Sequence, residues 1–209
     1  MSSKNQEEEV EGIKIILVGE SGTGKTSLIN SIQGYHFFEG SQASTMTCSF
    51  IKLKAKIQER EFLIYLWDTI GQEKFRSLTK IFISNAKIVI FVFDITDVVS
   101  FNALDFWYET IENELGKDPI KAIAANKQDL FENQDVDDDK IKEYADKKGI
   151  KFMYTTAKNP TSFNMLLEDL LKIYLEKSGK TPKSLQSNNK GKKLKNKEKK
   201  DNTKKKKCC

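Results

Sequence analysis

The chain has 209 residues, 38% of them hydrophobic, and a formal net charge of +5. Thirteen of its 35 basic residues but only two of its 30 acidic ones lie in residues 180–209, so a strongly basic tail follows a mildly acidic body. We interpret residues 1–11 as a disordered arm, 12–178 as one folded domain and 179–209 as a disordered lysine-rich tail. No apolar run reaches 18 residues and no signal-peptide pattern is present, so neither a membrane-spanning helix nor secretion is expected.

Apolar runs alternate with helical patterns along residues 12–178. The runs predicted as strands are 13–18, 48–57, 61–67, 88–93, 120–125 and 150–155. The patterns predicted as helices are 27–33, 101–115, 135–148 and 160–176. A short polar link at residues 58–60 predicts a hairpin. The alternation predicts an α/β fold: a mostly parallel six-stranded sheet with one antiparallel strand and helices on both faces.

The first predicted strand runs directly into a glycine-rich segment. Residues 19–26 read Gly-Glu-Ser-Gly-Thr-Gly-Lys-Thr, which is the P-loop pattern between a strand and a helix. Lys25 would bridge β- and γ-phosphate oxygens, and the Thr26 hydroxyl would ligate Mg²⁺. An ordinary glycine-rich turn is the alternative. The predicted nucleotide contacts in this segment are Glu20, Ser21, Gly22, Thr23, Gly24, Lys25, Thr26 and Ser27.

A second candidate site segment, Trp67–Glu73, follows the third predicted strand. Asp68, at the strand terminus, can anchor Mg²⁺ through water. The Gly71 amide can reach a γ-phosphate oxygen, and Gln72 can orient an attacking water for in-line phosphoryl transfer. A strand-end cap for Asp68 and a plain surface role for Gln72 are the alternatives.

A third segment, Asn126-Lys127-Gln128-Asp129, ends an apolar strand. The Asp129 carboxylate can accept the N1–H and exocyclic amine of guanine, a donor pair that adenine lacks. The Lys127 stem can pack over the base, and Asn126 can connect this loop to the P-loop. The next strand ends in Thr-Thr-Ala-Lys, where the Ala157 amide can bind the guanine O6. This loop adds three predicted contacts to the nucleotide: Thr156, Ala157 and Lys158.

Together these motifs resemble a small GTPase of the Ras superfamily over residues 12–178, a P-loop NTPase with a Ras-like G domain. Within the superfamily, the chain most resembles the Rab family. The resemblance is carried by residues 67–76, by Phe-Asp-Ile-Thr at 93–96 followed by Ser100-Phe101, and by the terminal Cys208-Cys209. Residues 44–50 are similar to the Rab switch I stretch that usually reads S-T-I-G-x-D-F.

The resemblance implies roles that the residues alone do not give. Thr45 would ligate Mg²⁺ and the γ-phosphate, so the implied metal ligands are Thr26, Thr45 and Asp68. The implied catalytic residues are Lys25, Thr45, Gly71 and Gln72. Phe37 would pack against the guanine, with Phe38 the alternative. Phe50, Trp67 and Phe82 would contact effectors, and a simple core cluster is the alternative.

The implied activity is a GTP/GDP-controlled switch that hydrolyses GTP slowly and acts in vesicle traffic. Its implied partners are exchange factors, GTPase-activating proteins, effectors, the prenylation machinery and a dissociation inhibitor, with no nucleic acid. Departures at Thr47, Ser49 and residues 81–86 mark a divergent member without an assignable subfamily. Ile70, where the family has Ala, raises the alternative of a GTP-binding scaffold with little hydrolysis. Asp129 disfavours an ATP-using enzyme.

The C-terminal tail ends in Lys204–Lys207 and Cys208-Cys209. No residue follows the cysteines, so this is not a C-a-a-X box. It resembles the doubly geranylgeranylated Rab terminus, and two lipid chains give stable anchoring. The resemblance implies the cytoplasmic face of an intracellular membrane, in exchange with the cytosol. A nuclear signal or nucleic-acid arm is the alternative, although no aromatic residues interleave the lysines to stack on bases.

Overall fold

The structure is a computed structural model that describes residues 11–35, 49–57, 60–69 and 82–179. The predictions for the terminal arm and tail, for residues 36–48 and for residues 70–81 lie outside the described residues. Within the described ranges, no helix is both long enough and apolar enough to cross a bilayer.

The described strands form one six-stranded sheet in the order β2-β3-β1-β4-β5-β6. They are β1 Glu11–Val18, β2 Ser49–Ile57, β3 Arg60–Asp68, β4 Ile88–Asp94, β5 Ile120–Asn126 and β6 Lys151–Tyr154. Among them, β2 pairs antiparallel with β3, and every other pairing is parallel. The antiparallel strands β2 and β3 follow each other closely in the chain, whereas parallel neighbours need a crossover connection. The predicted sheet is confirmed.

Five α-helices accompany the sheet in the described chain. They are α1 Lys25–Ile32, α2 Val98–Asn102, α3 Leu104–Leu115, α4 Asp138–Lys148 and α5 Thr161–Lys177. The prediction of one helix over 101–115 was wrong at its start. The Asp97 side chain accepts from Val99 N at 2.9 Å and begins a separate short helix. A 3₁₀ helix over Gln128–Asn133 was not predicted.

The core consists of two apolar clusters on opposite faces of the sheet. Ile13, Ile15 and Leu17 of β1 belong to one cluster, together with side chains of α1 and α5. Ile16 and Val18 belong to the other, together with side chains of α3 and α4. Successive residues of a strand point to opposite faces, so a strand covered on both sides must be apolar throughout.

The carboxyl ends of the parallel strands β1, β3, β4, β5 and β6 meet at one edge of the sheet. The glycine-rich loop follows β1, Asp68 ends β3, Asp94 ends β4 and Asn126 ends β5. Thr155 comes directly after β6. In doubly wound sheets this edge is where ligands bind, so the fold gathers the predicted site residues at one place.

Candidate nucleotide-binding site

The loop between β1 and α1 is organised around the amino group of Lys25. Lys25 Nζ donates to the carbonyl oxygens of Gly19 at 2.9 Å and Glu20 at 2.8 Å, and Thr23 Oγ1 donates to Glu20 O at 2.9 Å. Burial lowers the pKa of Lys25 to about 8, although the Asp68 and Glu20 carboxylates act in the opposite direction. A phosphate oxygen in this loop would therefore meet an ammonium group that is already desolvated.

Two glycines of this loop fit where no other residue would. Gly24 has φ +91°, and a Cβ there would lie 2.4 Å from Asn126 Nδ2. Gly19 has φ +150°, and its Cβ would lie 2.0 Å from the carbonyl oxygen of Val92. At Gly22, in contrast, a Cβ would meet no described atom within 4 Å. The loop is thus packed tightly against β4 and β5 and open beside Gly22, as a phosphate cradle requires.

Thr26 and Asp68 form the candidate Mg²⁺ site. Thr26 Oγ1 donates to Asp68 Oδ2 at 2.6 Å, and Asp68 is 3% exposed. Burial raises the pKa of Asp68, while the Thr26 hydrogen bond and the Lys25 charge oppose that rise. A hydroxyl and a carboxylate are oxygen donors of the kind that Mg²⁺ prefers. The residues fit the ion.

The described residues contain no cluster of three or more His, Cys, Asp or Glu side chains that could hold a metal. Mg²⁺ usually keeps several waters and binds one or two carboxylates together with substrate phosphates rather than a cage made of protein ligands.

Asn126 links the two halves of the site. Its Nδ2 donates to Thr23 O in the glycine-rich loop at 2.7 Å, and its Oδ1 accepts from Thr155 Oγ1 at 3.2 Å. The side chain is buried and thereby joins the phosphate loop, the end of β5 and the end of β6. The predicted connection between Asn126 and the P-loop is present.

Asp129 lies at the exposed end of the site. Its Oδ1 accepts from Thr156 Oγ1 at 2.6 Å, and its Oδ2 is 3.2 Å from Lys158 Nζ. Partial burial would raise the pKa of Asp129, but the hydrogen bonds from Thr156 and Lys158 outweigh it and hold the pKa below its usual value. The carboxylate is therefore ionised at neutral pH and can act as an acceptor only. Ala157 is buried beside these residues.

Two contacts involve residues that the sequence had not assigned to the site. Lys127 Nζ lies 2.5 Å from Asp94 Oδ2, and Trp107 Nε1 donates to Glu20 Oε1 at 3.0 Å. Asp94 ends a buried apolar strand, as Asp68 does, which is a signal that could have pointed to it. Trp107 fits the apolar periodicity of its helix, so its sequence pattern carries no such signal.

Phe50, Trp67 and Phe82 come together on the surface of the sheet. Phe50 stacks on Trp67 with ring centroids 4.8 Å apart, and Trp67 lies 6.4 Å from Phe82. Phe50 is 50% exposed. A purely core role is therefore wrong for Phe50.

The structure thus brings together the predicted residues of the glycine-rich loop, Asp68, the segment from Asn126 to Asp129, and the segment from Thr156 to Lys158. Several predicted residues lie outside the described ranges: Phe37, Phe38, Thr45, Ile70, Gly71, Gln72, Cys208 and Cys209. Of the predicted catalytic set, Lys25 is the described member.

Comparison with known proteins identifies the group to which the chain belongs. The sequence profile of the Ras family matches residues 14–176. The chain is similar to the Ras-related protein Rab5A of Oryza sativa subsp. japonica, with 31% identity over 172 residues that span 82% of this chain and 84% of that protein. The chain therefore belongs to the Ras family and is a Rab-like small GTPase.

Proposed function

We propose that this protein is a GTP/GDP-controlled switch that hydrolyses GTP slowly to GDP and phosphate and is anchored to a membrane by lipid on Cys208 and Cys209. The observation that carries this proposal is the 2.7 Å hydrogen bond from Asn126 Nδ2 to Thr23 O. It joins a phosphate-cradling loop to a loop that presents an ionised carboxylate. One ligand with a diphosphate at one end and a guanine at the other matches that arrangement.

The phosphate end would bind by backbone amides, by the Lys25 ammonium and by the N-terminus of α1. Thr26 and Asp68 would hold Mg²⁺, with Thr45 as a further ligand in the GTP state. When bound, the ion would supply positive charge that compensates the negative charge of the phosphate oxygens. Because little covalent chemistry falls to the protein in phosphoryl transfer, positioning and charge compensation would supply most of the acceleration.

Hydrolysis would depend on a second group of residues. Gln72 would orient the attacking water, and the Gly71 amide would contact the γ-phosphate. Contacts of Thr45 and Gly71 with that phosphate would exist only in the GTP state, so they would supply the differential binding that a switch requires. Exchange factors, activating proteins and effectors would then drive and read the cycle, with Phe50, Trp67 and Phe82 as the effector surface.

At the base end, the Asp129 carboxylate would accept the N1–H and amine of guanine. Lys127 would cover one face of the base, and the Ala157 amide would bind the O6. A site built to pair with polar ligand groups strongly rejects an analogue that lacks them, because its own groups are left unpaired. Phe37 would add a contact to the base.

The test is direct measurement of nucleotide preference and turnover on the full-length protein. We expect purified protein to retain GDP, to prefer GDP over ADP in competition, and to lose at least about tenfold of that preference in Asp129→Asn. Asp139→Asn, an exposed site on α4, is the matched control and should change nothing. Preference for adenine nucleotides in the unaltered protein would refute the base assignment.

Ile70 favours a second candidate, a GTP-binding scaffold with little hydrolysis. A bulky β-branched side chain beside Gly71 would restrict the rearrangement of that segment. Single-turnover GTP hydrolysis, with and without an activating-protein domain, separates the two candidates. A scaffold would leave GTP intact in both conditions, and Ile70→Ala would then restore turnover.

The lipid anchor and a role in vesicle traffic are supported by the Rab-like tail and by the similarity to a Rab protein. Two lipid chains beside a lysine-rich segment would hold the domain at the cytoplasmic face of an intracellular membrane. Replacing both cysteines by serine should move a tagged protein from membranes to the cytosol. Unchanged membrane association would remove this part of the proposal.

A further inference from the structure

Asp94 is a buried carboxylate directly beside the base-binding loop. It ends β4, pairs in parallel register with Asn126 of β5, and is 6% exposed. Its Oδ1 accepts from Thr96 N at 2.9 Å and from Thr96 Oγ1 at 2.8 Å. Its Oδ2 forms the 2.5 Å ion pair with Lys127 Nζ. Buried charged groups in proteins are usually paired and hydrogen-bonded, as the Asp94 side chain is here.

Lys127 has an unusual backbone conformation that suits this pair. It lies in the left-handed region at φ 65° and ψ 36°, which is unfavourable for a residue other than glycine. Hydrogen bonds on both sides hold the turn: Gln128 N donates to Thr155 O at 3.0 Å, and Leu130 N donates to Lys127 O at 2.8 Å. The backbone therefore has a defined course at the point where the Lys127 side chain leaves it.

The two ends of the Lys127 side chain are thus both fixed. A free lysine side chain has considerable rotamer entropy, which must be lost when its stem is immobilised against a ligand. The ion pair with Asp94 removes part of that freedom beforehand. Because two-thirds of the Lys127 side chain is already covered, the pair is also better shielded from water than a surface salt bridge.

We propose that Asp94 is a positioning residue for guanine nucleotide binding: it holds the Lys127 ammonium so that the lysine stem is ordered where the base must stack. This inference rests on the proposed function, because it assumes that Lys127 covers a guanine. The competing explanation is that Asp94 serves only the local turn to Thr96, with no effect on the ligand.

Asp94→Asn separates these explanations, since an amide oxygen can still accept from Thr96 N and Thr96 Oγ1 but the side chain no longer carries a charge for Lys127. Lys127→Met is its partner variant, because methionine keeps an unbranched apolar stem and removes the ammonium. Thr96→Val is the matched control, which removes a hydroxyl bond to the same carboxylate and leaves the ion pair. Should Asp94→Asn not yield folded protein, Asp94→Ser takes its place, because a serine hydroxyl can also accept from Thr96 N.

The measurement is the release rate of a fluorescent GDP analogue from the full-length protein with Mg²⁺. We expect Asp94→Asn to speed release by about 5- to 10-fold, as loss of a partly shielded charged hydrogen bond implies. Lys127→Met should increase the release rate by a similar factor, and the double variant should release the analogue no faster than the faster single variant. The release rate of Thr96→Val should stay within about twofold of wild type.

The proposal would be overturned if Asp94→Asn released GDP at a rate within twofold of wild type. It would also be overturned if the rate increases of Asp94→Asn and Lys127→Met multiplied in the double variant, or if Thr96→Val increased the release rate as much as Asp94→Asn does. The proposed function is tested separately in the same assay. If the unaltered protein binds GDP and Asp129→Asn weakens that binding, the guanine site stands whatever Asp94→Asn does. If the unaltered protein binds no guanine nucleotide, both conclusions fall.

Discussion

The two ends of the candidate site differ in how they hold charge. At the phosphate end, Thr23, Lys25 and Asp68 are at most 5% exposed, and backbone carbonyls hold the ammonium. At the base end, Asp129 and Lys158 are exposed and pair with each other. Charge interactions are stronger where water is excluded. In the proposed function, the phosphate end would therefore supply most of the affinity, whereas the base end would supply the discrimination between bases.

Removing the buried ammonium should have the largest effect. Lys25→Ala should weaken GDP binding by at least about 30-fold, because losing one partner of a buried charged contact costs about 2–5 kcal/mol. Isothermal calorimetry on nucleotide-stripped protein measures this. Lys172→Ala is the matched control, since Lys172 lies half-exposed on α5 with Glu168 4.0 Å away. A loss below tenfold would contradict the larger contribution to affinity expected of the phosphate end.

Removing the Asn126 side chain, which links the phosphate end to the base end, should have the second-largest effect on GDP binding. Asn126→Ala would leave Thr23 O and Thr155 Oγ1 without their partner, at about 1–3 kcal/mol for a buried unsatisfied group. We expect GDP affinity to fall by about 10- to 100-fold. The preference for GDP over ADP should fall as well, because both loops lose a support. If affinity falls while preference is untouched, the ends act independently.

The pKa of Lys25, about 8, predicts a pH dependence that belongs to the phosphate end alone. Neighbouring phosphate oxygens favour the charged amine and raise its pKa. Below pH 8 the amine is protonated in free and bound protein, so affinity is level. Above pH 8 binding must take up a proton, so affinity falls by up to about tenfold per pH unit.

Calorimetry across pH 7–9 in buffers of different ionisation enthalpy would detect that proton uptake. Lys25→Arg should bind with little pH dependence over the same range, because a guanidinium does not titrate there. If GDP affinity fell with pH equally steeply in wild type and Lys25→Arg, the titrating group would not be Lys25.

The smallest effect is expected at Trp107, which acts on the phosphate end from outside it. Trp107→Phe removes the donor to Glu20 Oε1 while keeping an aromatic ring, and Glu20 also supplies a carbonyl that holds Lys25. GDP release should speed up by about 2- to 5-fold, the usual value of one hydrogen bond. Thr110→Val, which removes an exposed bond on the same helix, should leave the rate unchanged.

Much of the fold and the site could be predicted because its signals are contiguous. The glycine-rich loop, Asp68 and the Asn126–Asp129 segment each follow an apolar strand, and parallel strands bring their carboxyl ends together. The contact between Trp107 and Glu20 spans 87 residues and leaves no local pattern. The ion pair between Asp94 and Lys127 likewise joins two separate segments.

Two elements escaped prediction for related physical reasons. Phe101 and Leu104 continue one helical spacing across the break between α2 and α3, so periodicity cannot reveal that break. The 3₁₀ helix Gln128–Asn133 buries none of its residues, so no apolar spacing marks it.

The close approach of Gly24 to Asn126 limits how this chain can diverge over time. A side chain at position 24 would displace the amide that also reaches the end of β6, so these two positions can change only together. A side chain at position 22 would meet no described atom within 4 Å, but the φ of +81° there is a backbone conformation that residues other than glycine rarely adopt. Both glycines should therefore resist replacement in random mutagenesis, and position 24 most strongly, because steric overlap there adds to the backbone strain.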